Sequence, residues 1–360
     1  MRIVRIFFIS FALQCFFVLN IFCETQRKFN TIAHSILDLD SKVHEVNQDH
    51  YSTVDHLIDE AIERIPQNLE LNRENGLFIL GEIDKILTEN NFVCSLPEKV
   101  ELLSDGLNAK VIEESTMNSI CNKNREPHIT AHRKGLFKHI DCDLGCMLYL
   151  AIADILKYPL WAIEIPDHNL LCLDLKDGGH IFWETNYGLE NRNIESTEKY
   201  YKYEFDIQRH LRRKLSQNEF IGYYMTLIGN QLKKQFKYLE AEKCYKNAIE
   251  LHPNYPEPKN GLAWMYCTVE GNVFAEKVEE AIQLAIASIR LDPYNDWYAD
   301  TLACAYAASG RFGIAQKIQK IAIAILQGKE YLSDDDKEDL KSYINRLELY
   351  QKDKRYIKRE

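Results

Sequence analysis

Between residues 217 and 326 the chain sets small and aromatic residues at matching places three times over. The first copy has Gly229 and Leu232 on one helix, then Ala241, Tyr245 and Ala248 on the next, with Pro253 ending it. The second has Leu262, Ala263 and Tyr266, then Ala281, Ala285, Ser288 and Pro293. The third has Leu302, Ala303 and Tyr306, then Ala315 and Ala322. Small residues recur where the two helices of a pair cross closely, so this stretch is confined to stacked helical hairpins. The Tyr245 position is the irregular one: it becomes Ala285 and then Gln319. Three copies meet the minimum for a stable stack of this kind.

The pattern resembles the tetratricopeptide repeat, whose period is about 34 residues. Pro253 and Pro293 are 40 apart, so the second copy carries an insertion of about six over that period, assigned to Glu270–Glu276. The repeats are expected over 216–326, and a capping helix with a basic tail over 327–360. Ser333-Asp334-Asp335-Asp336 is a good acidic start for that helix, which runs to Tyr350. The terminal KDKRYIKRE reads as a frayed end. A repeat stack presents a groove for a protein or peptide partner.

The 360 residues carry 44 Lys+Arg against 54 Asp+Glu, a formal charge of −10. An acidic balance argues against a nucleic-acid partner, which needs a basic footprint. Ten cysteines are too sparse for a disulfide scaffold. Residues 1–23 place Arg2 and Arg5 before an apolar run over 6–22. This is the layout of an export signal, or of a retained membrane anchor, since the run is just long enough to span. Ile21, Phe22 and Cys23 are a poor cleavage site, so both readings stand. The protein is accordingly expected to be exported, periplasmic or secreted, or tethered at its N-terminus. Export would permit disulfides, with Cys94–Cys121 as one candidate pair and two separate thiols as the other reading.

Residues 24–135 read as a helical N-terminal part of the core domain. Leu57, Ile58, Ala61, Ile62 and Ile65 keep helical spacing, and a second helix is expected near Asn75–Leu87, ended by Asn90–Asn91. Asn108–Pro127 reads as irregular. Residues 136–215 differ. Asp143–Lys157 is apolar on most sides, as for a buried helix. Leu160–Ile165, Leu170–Leu175 and His180–Thr185 are strand-like, and Lys176-Asp177-Gly178-Gly179 is a hairpin turn signal. A core helix followed by a three-stranded antiparallel meander is expected. Tyr200, Tyr201 and Tyr203 in the connector are assigned to packing.

The candidate chemistry lies here. Cys142 immediately precedes the buried helix, where the dipole and unpaired N–H groups favour thiolate. Asp141 and Asp143 oppose this by like charge, so a nearby imidazolium is needed. His168 is the candidate, and Glu184, sixteen residues later on the next strand, is placed to orient its ring. Taken singly, each has an ordinary reading: inert core thiol, structural histidine, solvated glutamate. Cys146, one turn after Cys142, reads as a small buried residue. A metal set of Cys142, Cys146, His168 and Cys172 lacks the paired spacing of known sites, so no metal and no cofactor is expected.

The stretch DCDLGCMLYLAIADILKYPLWAIEIPDHNLL followed by IFWETNYG resembles the bacterial transglutaminase-like, papain-type thiol enzymes that carry C-terminal tetratricopeptide repeats. The resemblance covers roughly residues 130–190, plus the repeats. It implies an α+β fold: a transglutaminase-like core, helix on small antiparallel sheet, followed by the all-α repeat stack. It implies Cys142 as nucleophile, His168 as general base then acid, and Glu184 in place of the more usual aspartate. Asn186 is the second possible orienter, and Trp161 and Trp183 are candidate walls of a substrate groove, with core packing as the other reading. The function implied is a cysteine-dependent amidohydrolase or acyl transferase acting on a peptide or protein amide. The alternative, supported by the glutamate substitution and the acids flanking Cys142, is a catalytically degenerate interaction scaffold.

Overall fold

A computed structural model describes residues 27–94, 102–112, 135–165, 168–185, 189–190, 213–270, 274–329 and 331–358. The chain divides into two compact units, Met1–Lys214 and Leu215–Glu360.

In the first unit, helices α1 (Ile32–Asp40), α2 (Gln48–Arg64) and α3 (Arg73–Glu89) are followed by the short helix α4 (Leu103–Leu107) and by α5 (Cys142–Leu156). The apolar positions of α2 bury Val54, Leu57, Ile58 and Ala61. Helix α3 stops where expected: Asn90 caps it, and Asn91 takes a positive φ of 63° that asparagine tolerates better than most residues. Helix α5 is apolar around nearly its whole circumference and is correspondingly buried from Leu144 through Ala153. Helices α1 and α2 pack against it.

Two sheets flank this bundle. Strands β1 (Phe92–Cys94), β2 (Lys110–Ile112) and β3 (Gly135–Ile140) form the first, in the order β1-β3-β2. β1 runs parallel to β3, and β2 antiparallel. Strands β1 and β2 fall within 24–135, read as mostly helical, and Lys110–Ile112 lies inside the stretch read as irregular. Each of these strands is three residues long, too short for a periodicity signal, and both are organised by the longer β3. β3 leads directly into the start of α5.

The second sheet has the order β7-β6-β5-β4-β8, with β4 (Leu160–Ile165), β5 (His168–Asp174), β6 (His180–Glu184), β7 (Leu189–Glu190) and β8 (Lys214–Leu215). β4, β5 and β6 form the antiparallel meander. Gly178, at φ 84°, makes the turn of the β5–β6 hairpin, where Leu175 N–H donates to Gly179 O at 2.9 Å. One face of the sheet receives α3 and α5. A Cβ on Gly76 of α3 would lie 2.6 Å from Ile181 Cδ1. Trp183 Nε1 donates to Tyr149 Oη at 3.1 Å, and Tyr149 Oη donates to Asp84 of α3.

The second unit is a stack of helical hairpins: α6 (Gln217–Lys234) with α7 (Tyr238–Leu251), α8 (Glu257–Thr268) with α9 (Val278–Leu291), and α10 (Asp296–Ala308) with α11 (Phe312–Gln327). A short 3₁₀ turn, Ala275–Lys277, precedes α9. Helix α12 (Asp334–Gln351) follows, capped by Ser333, whose Oγ accepts from Asp336 N–H. The repeated small residues sit where helices touch. Tyr245 fills the space beside Gly229 and Gly261: added Cβ atoms would approach its ring to 2.8 and 3.0 Å. Ala241, Ala248, Ala281, Ala285, Ala315 and Ala322 are all buried. The terminal tail differs from expectation. It is not frayed over its described part: Tyr356 packs on Trp264, and Lys358 N–H donates to Thr268 O at 2.9 Å.

Residues 1–26, Cys121, Tyr200, Tyr201 and Tyr203 lie outside the described residues, as does the side chain of Cys94. The export or anchor segment 6–22 and the Cys94–Cys121 pair therefore lie outside them too. Among the described residues no helix is long and apolar enough to cross a membrane.

Candidate functional site

Asp141 and Cys142 form the joint between β3 and α5. Asp141 is in extended backbone, and its Oδ1 accepts from Asp143 N–H and Leu144 N–H, both at 3.0 Å. This is a standard N-cap satisfying two of the helix's orphan donors. It also fixes Cys142 in the first turn, over the positive end of the α5 dipole.

The sulfur is half-buried. Its S–H donates to Asp143 Oδ1 at 3.4 Å, and the backbone N–H of Asn169 is directed at it. The two influences oppose. Burial first, then the charges of Asp143 and Asp141, push the thiol well above its ordinary range, and the Asn169 N–H pulls it down. Burial prevails, so the resting group is a neutral thiol. Asp141 is itself pushed up to about 7, by burial first and then by Asp143.

Across from Cys142 stands the N-terminal end of β5. Asn169 is buried, and its Nδ2 donates to Asp143 Oδ1 at 2.6 Å. Its own Oδ1 is buried without a hydrogen-bond partner. Thr185, just past β6, donates from Oγ1 to Cys142 O at 3.4 Å and lies against Gly145, where a Cβ would come within 2.8 Å of it. Neither Asn169 nor Thr185 was singled out from the sequence. Each lies beside a residue that was.

His168 is the first residue of β5, opposite Ile165, so its backbone is adjacent to the Asn169 amide that faces the sulfur. Its side chain, like all of Asn186, lies outside the described residues. Glu184 is buried at the end of β6, and its charge helps raise the thiol of Cys146 on α5. Cys146 is fully buried, and burial is the main cause of its raised pKa.

The two tryptophans do not share a groove. In the sheet register Trp183 lies opposite Leu171 and Ala162 opposite Leu171, so Trp183 shares a face with Ala162 and turns to α5. Trp161 is on the other face, where Nε1 donates to Asp174 Oδ2 at 3.0 Å. Its partner Cys172 sits there too. Cys172, Asp174 and His180 bring ligand atoms within 4.8 Å of one another, the one such group among the described residues. Asp174 is already engaged: it accepts from Trp161, binds His180 Nδ1 at 2.9 Å and pairs with Lys214. The Lys214 ammonium already supplies the positive charge a metal ion would bring. Cys172 is not gathered with Cys142.

No family model matches the chain, and no curated protein matches it. Among solved structures it is similar to the TPR domain of Sgt2 from Aspergillus fumigatus, at 18% sequence identity and a TM-score of 0.29, over 36% of this chain and 82% of that one.

Proposed function

We propose that the chain is a cysteine-dependent amidohydrolase or acyl transferase, with Cys142 as nucleophile and a peptide or protein amide as substrate. The observation that carries this reading is the meeting of the α5 N-terminus with the start of β5: a half-buried thiol over a helix dipole, faced by the Asn169 N–H, one residue from His168. In this reading the imidazole of His168 takes the thiol proton as sulfur attacks the carbonyl carbon. The C–N bond then breaks, the proton passes to the leaving amine, and a thioester remains on Cys142. Water or a second amine releases the acyl group. The Cys142 backbone N–H is the first oxyanion donor. Glu184, or Asn186, steers the ring. The helical hairpins, read as tetratricopeptide-like, recruit the protein partner, and residues 6–22 export or tether the molecule.

The test is the pH-rate profile of iodoacetamide labelling on the full chain, resolved by thiol. Preferential labelling of Cys142 at neutral pH, slowed at least tenfold in His168→Ala, is the expected result. Equal and slow labelling of all thiols overturns the proposal.

A second reading has one observation in its favour. The Cys142 S–H is satisfied by Asp143, and two carboxylates oppose its ionisation. A site held in that state serves a non-catalytic scaffold, and Cys142→Ala would then leave partner binding and phenotype unchanged.

A further inference from the structure

The end of the chain lies on the helices that would carry the recruiting role. Helix α12 packs on α11 and meets α10 through four polar contacts, one of them Trp297 Nε1 donating to Asp339 Oδ2 at 3.0 Å and the other three forming a buried seam. Tyr343 Oη donates to Asp296 Oδ2 at 2.7 Å, Arg346 Nε donates to Asp300 Oδ1 at 2.8 Å, and Tyr350 Oη lies 3.0 Å from Cys304 Sγ. The three seam partners on α10 fall at i, i+4 and i+8, one stripe of the helix.

The segment after α12 is different in kind. Asp353 adopts a positive φ of 51°, and Lys354 N–H donates back to Leu349 O at 2.9 Å, so the chain reverses sharply. It then crosses to α8. The Tyr356 ring stands 5.8 Å from that of Trp264, and the Arg346 guanidinium lies over both, 5.4 Å from Trp264 and 5.1 Å from Tyr356. Lys358 pairs with Val269 through a single parallel bridge and donates to Thr268 O. Its charge reaches Lys233 on α6, whose ammonium burial pushes down to about 8. So the tail touches α8 and approaches α6, the first helices of two successive hairpins. Among the described residues of the tail, Tyr356 and Ile357 are half-buried and the others are exposed. Its contacts are one aromatic slot and one backbone hydrogen bond, which are the contacts of a docked extended peptide rather than of a core.

We propose that this face of α6 and α8, centred on the Trp264–Arg346 slot, is a binding surface for an extended peptide bearing an aromatic residue, and that residues 353–358 occupy it in cis. The slot takes any aromatic ring that stacks on Trp264 under the guanidinium, and the Thr268 carbonyl takes a backbone N–H. The named groups around the tail, Arg346 and Lys233, are cationic, so the ring and the backbone hydrogen bond, not charge, seat the segment. A tether this short gives the tail an effective concentration on the order of millimolar. Weak intrinsic affinity therefore suffices to keep the slot filled, and a partner must outbind the tail or the tail must be released. The inference deepens the recruiting role of the hairpins and is independent of the thiol chemistry.

The test uses a peptide of sequence KDKRYIKRE, labelled at its N-terminus, in fluorescence anisotropy with three proteins: the full chain, the chain stopped after Gln351, and full-length Tyr356→Ala. Binding at least tenfold tighter to the second and third than to the first is expected, with loss of binding when Trp264→Ala is added or when the peptide tyrosine is replaced by serine. Equal affinity for all three overturns the proposal, as does no binding to any. Equal binding of a basic peptide of the same charge without an aromatic residue also overturns it, since bulk charge would then suffice. Should the shortened chain lose its helical circular dichroism, Tyr356→Ala decides. Dimerisation of the unaltered chain that Tyr356→Ala abolishes would overturn the cis arrangement. The Cys142→Ala chain gives the same anisotropy, so failure here and failure of the enzyme reading are separate results.

Discussion

Asn169 and Asp143 are joined by a 2.6 Å hydrogen bond from Nδ2 to Oδ1, and that same oxygen accepts the Cys142 S–H at 3.4 Å. One buried amide on β5 thus holds the carboxylate that keeps the thiol protonated. Asp143→Asn removes the like charge and leaves a neutral acceptor in place. Alkylation of Cys142 between pH 7 and 8 should rise about threefold to tenfold, since one pKa unit is tenfold in thiolate. Asn169→Ala should instead cost roughly 1–3 kcal/mol of stability, the penalty of removing a buried amide and its hydrogen bond to the half-buried Asp143 carboxylate. Thermal unfolding reads the second effect and thiol labelling the first.

Asp141 makes stability depend on pH. Its carboxyl, ordinarily at 3.8, is pushed up to about 7 by burial and by Asp143. Between those values the folded chain keeps a proton that the unfolded chain has released. Stability from this group is therefore present below the lower value and lost as pH rises to the upper one. Asp141→Asn keeps an N-cap side chain that accepts from the same two N–H groups. Urea midpoints of the variant, measured from pH 4 to 8, should fall less steeply with rising pH than those of the unaltered chain. Parallel slopes would refute the assignment.

The hairpin crossing at Gly229 leaves no room for a methyl group. Its Cβ would meet the Tyr245 ring at 2.8 Å, and Tyr245 is confined on its other side by Gly261. Gly229→Ala should therefore destabilise by roughly 1–3 kcal/mol, as overpacking does, despite alanine's better helix propensity. Gly229→Ala with Tyr245→Leu should recover part of the loss in chemical denaturation.

Arg346 and Asp300 are a buried ion pair with further support: Gln319 Nε2 also donates to Asp300 Oδ1, at 2.7 Å. Arg346→Ala would strand the Asp300 carboxylate and should cost roughly 3–5 kcal/mol. Replacing the pair together, Arg346→Met with Asp300→Leu, should cost far less. Equal losses in the single and double variants would show that the charge pairing is not what holds α12 on α10.

Much of the fold is written in local pattern. The hairpin stack follows from recurring alanines and glycines, the Ser333 cap from its acidic first turn, and the buried α5 from its all-round apolar surface. Gln319 shows how an irregularity in a pattern carries information. It occupies the position of Tyr245 in the third copy, and there its amide holds the aspartate on which the last helix docks. The small sheet β1-β3-β2 was not legible, because strands of three residues exist only through their partners. The docked tail was not legible either, since a basic polar segment carries no periodicity and is held by one ring and one hydrogen bond.

The candidate site divides in the same way. Cys142 at a helix start is a one-dimensional fact, set by Asp141 as cap and an apolar run after it. The sequence also supplied the meander and its turn, because period-2 alternation and paired glycines are local. Which strand residues face the sulfur was decided only by the docking of α5 on β5 and β6. That packing brought in Asn169 and Thr185 and sent Trp161 and Trp183 to opposite faces. The physical reason is alternation: a shift of one residue along a strand reverses the side it presents. Only the packed helix fixes which side is which.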